Sequence, residues 1–165
     1  MVLDIRQFGD PVLKSRATPV KEFDEQLEKL AQDMLATMRE HEGVGLAANQ
    51  VGRLKRILVA SIEDDEFVIV NPMIEDWSEE AAKETEGCLS IPGIQVGVER
   101  PTAITISGSD ATGNPVRMEV TDLLARVFQH EVDHLDGVTI LERTDRESRK
   151  AAMRELRERL LAQKS

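Results

Sequence analysis

The chain has 165 residues, 41% of them apolar and 32% charged, a size and balance for one globular domain with its own core. Its net charge of −10 argues against general nucleic-acid affinity, DNA included, and no apolar run approaches the ~20 residues of a membrane helix. One cysteine, Cys88, excludes an internal disulfide. The start, Met1 to Arg6, lacks a basic stretch leading into a long apolar one, so a cytoplasmic location is expected.

Residues 1 to 22 read as irregular, with turn signals at Gly9-Asp10-Pro11 and Pro19. A helix follows: Asp24 is the expected N-cap, Leu27, Leu30, Ala31, Met34, Leu35 and Met38 recur at helical spacing, and Gly43 is the stop. Ile57 to Ile62 and Phe67 to Val70 read as strands around the acidic turn Glu63 to Glu66. Ile94 to Val98 and Ala103 to Ile106 are two more, and Pro115 to Val120 returns after the turn at Ser109 to Asn114. A second helix spans Asp122 to Leu135, capped by Thr121 or Asp122, with Gly137 just past its end. A third runs from Asp145 to about Gln163, with a narrow stripe of Met153, Leu156, Leu160 and Leu161. Residues 145 to 165 hold seven basic and four acidic side chains, so this tail is +3 and the rest −13. Helix, many strands, helix and helix make an α+β chain, with no linker or repeat to divide it.

The strongest chemical signal is Gln129-His130-Glu131-Val132-Asp133-His134. Two histidines four apart lie one turn apart on one helix face, where both imidazoles can reach one cation. A carboxylate after the first His is placed to act as general base. Leu123 and Val127 share that face, so the histidines continue an apolar stripe inward. Core histidines bonded to carbonyls are the bland reading of the same pattern. A catalytic site needs a third ligand. The place where one such pattern needs a third His holds Ile140; Glu155 lies in a polar helix; His41 lies in the charged stretch Arg39 to Glu42. Cys88, in Glu86-Gly87-Cys88-Leu89-Ser90, remains.

Those two segments, together with Gly43-Val44-Gly45-Leu46-Ala47-Ala48-Asn49-Gln50, resemble in order and separation the three signature segments of peptide deformylase: Gly-x-Gly-x-Ala-Ala-x-Gln, Glu-Gly-Cys-x-Ser and Gln-His-Glu-x-x-His. The likeness runs from Phe8 to about Arg143. One departure is Thr139-Ile140, where many relatives carry Leu-Phe.

The resemblance implies a fold of antiparallel sheets around a central metal-binding helix, with an N-terminal and a C-terminal helix. It implies removal of the N-formyl group from the starting methionine of nascent peptides, in a bacterium or an organelle. Cys88, His130 and His134 would bind one divalent metal, Fe²⁺ in the cell, with Zn²⁺, Ni²⁺ or Co²⁺ possible in preparations. Glu131 would be the general base, with Gln50 and the Leu89 N–H as oxyanion donors. Gly43, Val44 and Gly45 would pair with the peptide; Val44, Leu123 and Val127 would line the methionine pocket; Glu86 would pair with Arg100. The basic C-terminal helix reads either as a solvated surface or as a ribosome-docking element. The rival readings are a zinc peptidase and a metal-storage module.

Overall fold

A computed structural model describes residues 1–164. Asp10 caps a single 3-10 turn, Pro11–Lys14, inside the segment expected to be irregular. Helix α1, Glu25–Glu40, begins at Asp24, whose carboxylate accepts from Leu27 N–H at 3.0 Å. It ends where Gly43 N–H donates to Met38 C=O at 2.9 Å. The stripe Leu27, Leu30, Ala31, Met34, Leu35 and Met38 is buried as its spacing predicts.

Among the described residues seven strands follow: β1 Gly45–Ala47, β2 Ile57–Ile62, β3 Asp65–Trp77, β4 Ala81–Gly87, β5 Gln95–Pro101, β6 Ala103–Ser109 and β7 Pro115–Thr121. Five form one antiparallel sheet in the order β1-β2-β3-β6-β7; β4 and β5 form a separate hairpin. β3 runs past Val70, where the sequence places its end, because its partner β6 is followed through register shifts. At the bend Asn71 sits at φ 52°, and its amide exchanges two hydrogen bonds with the Val20 backbone, at 2.8 and 3.0 Å. β4 carries no apolar alternation at all. Of Ala81-Ala82-Lys83-Glu84-Thr85-Glu86-Gly87 only Glu86 is buried, so its hydrogen-bonded pairing and its ionic contacts hold it, not an oily face.

Helix α2, Asp122–Leu135, lies across the large sheet. Ala125, Phe128 and Leu135 pack on Leu58, Ala60, Ile69, Ile104 and Ile106, and Phe128 meets Phe67 edge to face at 5.7 Å. Gly137, at φ +78°, turns the chain away directly against the Lys14 carbonyl. A short helix α3, Ile140–Arg143, is closed by a capping box of Thr139 and Glu142. Thr139 and Ile140, the departure noted above, are both buried. Helix α4, Arg146–Lys164, starts at Asp145, which accepts from Ser148 N–H at 2.7 Å. It rests on β5 through Ala152 and Leu156, which join Ile91, Ile94, Val96, Val98, Ile140 and Leu141. Of the expected stripe Leu156 alone is buried; Met153, Leu160 and Leu161 face solvent.

Candidate active site

The apolar face of α2 that packs on the sheet turns His130 and His134 toward the loop after β4. Their Nε2 atoms stand 3.2 Å apart, and Cys88 Sγ lies 3.3 Å from His134 Nε2. All three donor atoms are within 4.8 Å of one another. A tetrahedral zinc-type site with ordinary bond lengths has N···N and N···S edges of about 3.3 and about 3.6 Å. The donor set fits one divalent cation.

The surroundings fix those donors. His130 Nδ1 donates to Glu86 Oε1 at 2.8 Å; a carboxylate there requires the proton on Nδ1, so the neutral ring offers its Nε2 lone pair inward. Burial opposes the Glu86 charge, but hydrogen bonds from His130 and Arg100 outweigh it and hold the carboxyl at about 2. Arg100 grips Glu86 at 2.6 and 3.0 Å and reaches Asp133 at 2.9 Å. Burial pulls both imidazoles down. In His130 the neighbouring charges, Glu131 first, outweigh it and raise the pKa, whereas in His134 the charge on His130 adds to burial. Two nitrogens this close cannot both hold protons, and a cation between them removes the conflict.

Glu131 is buried, with Oε1 lacking a protein partner and Oε2 4.0 Å from His130 Nε2. Burial pushes its carboxyl up to about 7, against the attraction of His130. A divalent cation at the three donors would favour the charged form. Gly45 explains how the carboxylate fits: a Cβ there would meet Glu131 Oε2 at 2.6 Å and Val127 Cγ1 at 2.8 Å. Gln50 is fully enclosed. Its Oε1 accepts from Ala47 N–H at 2.9 Å, which turns Nε2 toward Ser90 Oγ (3.1 Å) and Cys88 Sγ (3.5 Å).

Cys88, His130, Glu131, Glu86, Gly45 and Gln50 line a cleft of about 710 Å³ that also takes in Gly43, Val44, Leu89, Leu123 and Val127. Val44 and Leu123 are about half exposed and Val127 is buried. Of the residues assigned to the site from the sequence, all but His134 and Arg100 line the cleft; His134 belongs to the donor cluster with Cys88 and His130, and Arg100 holds Glu86. His41 is exposed and lines the cleft away from the donor cluster. Glu155 forms a surface pair with Arg159. The sequence reading missed Ser90, Asp133 and Arg126. Arg126 and Asp133 are charged residues buried on α2, which the folded structure alone reveals.

The family model for polypeptide deformylase matches residues 2–150. The chain belongs to that family. It is 48% identical over 156 residues to peptide deformylase 1 of Corynebacterium glutamicum, covering 92% of each chain. With the peptide deformylase of Dictyoglomus thermophilum it shares 47% over 150 residues, 91% of this chain and 97% of that one. The crystal structure of the Legionella pneumophila peptide deformylase superposes with a TM-score of 0.92 at 36% identity, covering 99% and 98% of the two chains. That of the Synechococcus elongatus peptide deformylase, in complex with actinonin, gives 0.89 at 40% identity, covering 93% and 85%. Like other peptide deformylases, this chain is a hydrolase that removes the N-formyl group from the starting methionine of new proteins. Among the described residues no helix is long and apolar enough to cross a membrane.

Proposed function

We propose that the whole chain forms one deformylase domain in which Cys88, His130 and His134 hold a single divalent metal, Fe²⁺ in the cell. The observation that carries the reading is the convergence of one cysteine sulfur and two imidazoles within 4.8 Å of one another, beside a buried glutamate in the same cleft. A cation bound there supplies Lewis acidity, acidifying water and polarising a carbonyl oxygen. Glu131 takes a proton from the attacking water and delivers it to the departing amine, a task suited to a buried carboxylate that keeps one oxygen without a partner beside the three donors. Gln50 Nε2 and the Leu89 N–H donate to the oxygen that gains charge as the formyl carbon becomes tetrahedral. Formate and a free methionyl amine leave.

β1 is an edge strand, which supports binding of the peptide as an added strand. Val44 C=O accepts from Ser61 N–H at 2.9 Å, so alternation turns the Gly45 N–H and C=O to the open edge. The Gly43 N–H is occupied by Met38, so pairing centres on Gly45. Val44, Leu123 and Val127 wall the pocket for the methionine side chain. The enzyme works in the cytoplasm, and its basic, outward-facing α4 is suited to rest on ribosomal RNA.

Formate release from a formyl-Met-Ala-Ser peptide, by anaerobically purified protein loaded with Fe²⁺, tests the reading. Turnover should be rapid and should vanish in Cys88→Ala. Well-metallated protein that releases no formate would remove the assigned substrate and leave peptide cleavage as the reaction to try.

A further inference from the structure

The three donors come from two separate pieces of chain. Both imidazoles ride on α2, whereas the thiolate follows β4, and the distance between helix and hairpin sets whether three ligands can share one ion. Arg126 lies on α2 one turn before His130, on the same face. Its side chain is 9% exposed, and it makes four hydrogen bonds into the hairpin. Nε donates to Glu84 Oε2 (3.1 Å), Nη1 to Glu86 Oε2 (2.6 Å) and Val98 C=O (2.9 Å), and Nη2 to Ala82 C=O (2.7 Å). Both strands are gripped, two residues before Cys88 on one and at Val98 on the other.

Glu86 is the hub of this grip. Its Oε2 accepts from Arg126 and from Arg100, each at 2.6 Å, which leaves Oε1 to His130 Nδ1 and Arg100 Nη2. The two arginines reach in opposite directions: Arg100 from the hairpin to Asp133 on α2, Arg126 from α2 to the hairpin. We propose that Arg126 is a positioning residue of the metal site, setting the separation and orientation of the thiolate strand and the imidazole helix. The proposal rests on the reading of Cys88, His130 and His134 as ligands. A planar guanidinium held by four acceptors has one placement, whereas an ammonium on a flexible stem has many. A buried ion pair is weak evidence for added stability, so its geometric role is the one to test.

Cobalt(II) is the probe. Its affinity is measured by competition titration, and its sulfur-to-cobalt charge-transfer band reports the Cys88 bond. Arg126→Leu and Arg126→Lys are compared with the wild type and with Arg117→Ala, which breaks an exposed pair with Glu75 away from the cleft. Both Arg126 variants should bind cobalt about 10- to 100-fold more weakly, as loss of an outer partner of a metal ligand does, with a shifted or weakened band. Arg117→Ala should match the wild type in both. Affinity and band within twofold of wild type in either Arg126 variant would overturn the proposal, whatever happens to thermal unfolding; Arg126 would then only staple the fold. Should Arg126→Leu fail to fold, Arg126→Lys decides, with Glu84→Gln expected to show a smaller loss in the same direction. A wild type lacking the band would overturn the ligand assignment and the proposal with it. A wild type that binds cobalt with the band yet releases no formate when iron-loaded would overturn the substrate alone.

Discussion

Helices α2 and α4 are both rich in charge and treat it in opposite ways. α2 buries Arg126, Gln129, His130, Glu131, Asp133 and His134 within fourteen residues. Among the described residues of α4, nineteen long, only Ala152 and Leu156 are buried, and its charges stand in water. Buried charges are costly unless paired and hydrogen-bonded. In α2 Arg126, His130 and Asp133 each have a partner across the helix–hairpin seam, whereas Glu131, which lines the cleft, keeps an oxygen without a partner. Among the described residues that oxygen is one of three buried side-chain polar atoms without a partner, with Asn49 Oδ1 and His134 Nδ1, and it belongs to the group assigned the proton transfer. α4 still reaches the site indirectly: Arg159 donates to Pro92 C=O at 2.7 Å and lies over Gly93, which stands at φ +80° on the loop that follows Cys88.

The sharpest way to break this contrast is Glu131→Gln. It should lower kcat about 10²- to 10⁴-fold while metal content stays at the wild-type level. Loss of metal instead would make the carboxylate a ligand or a structural prop.

Glu86→Gln comes next. It removes a charge that two buried arginines and an imidazole share, so urea unfolding should show a loss of about 3–5 kcal/mol. The pH dependence follows from the same group. Its folded pKa of about 2 lies below the ordinary 4.5, so its stabilisation is present above pH 4.5 and is lost as pH falls toward about 2. Unfolding free energy measured across that window should fall in the wild type and fall less in Glu86→Gln.

Effects in α4 should be much smaller. Arg159→Ala gives up hydrogen bonds at a half-exposed side chain and should cost about 0.5–1 kcal/mol. Leu161→Ser, in a residue already 63% exposed, should stay within about 0.5 kcal/mol. A large stability loss there would mean that α4 packs more tightly than its exposure indicates.

The sequence by itself determined the elements whose polarity pattern is local. α1 shows its cap and its stripe, β2 and β7 show short strand runs between turns, and the His pair on α2 declares its shared face through helical period alone. The three signature segments carried the family and with it the ligand set. β4 was hidden because Lys83-Glu84-Thr85-Glu86 looks solvated; what makes it a strand is pairing with β5 and a carboxylate buried against arginines distant in sequence. The burial of Leu156 with Ala152, and the exposure of Leu160 and Leu161, depend on where α4 lies over β5, which its own periodicity does not encode. Arg126 shows the limit most clearly. As a residue type it reads as a surface charge, and only the tertiary structure brings Glu84, Glu86, Ala82 and Val98 to its guanidinium. Long-range acceptors are set by how helix and hairpin pack, and packing is a property of the folded chain rather than of any one segment.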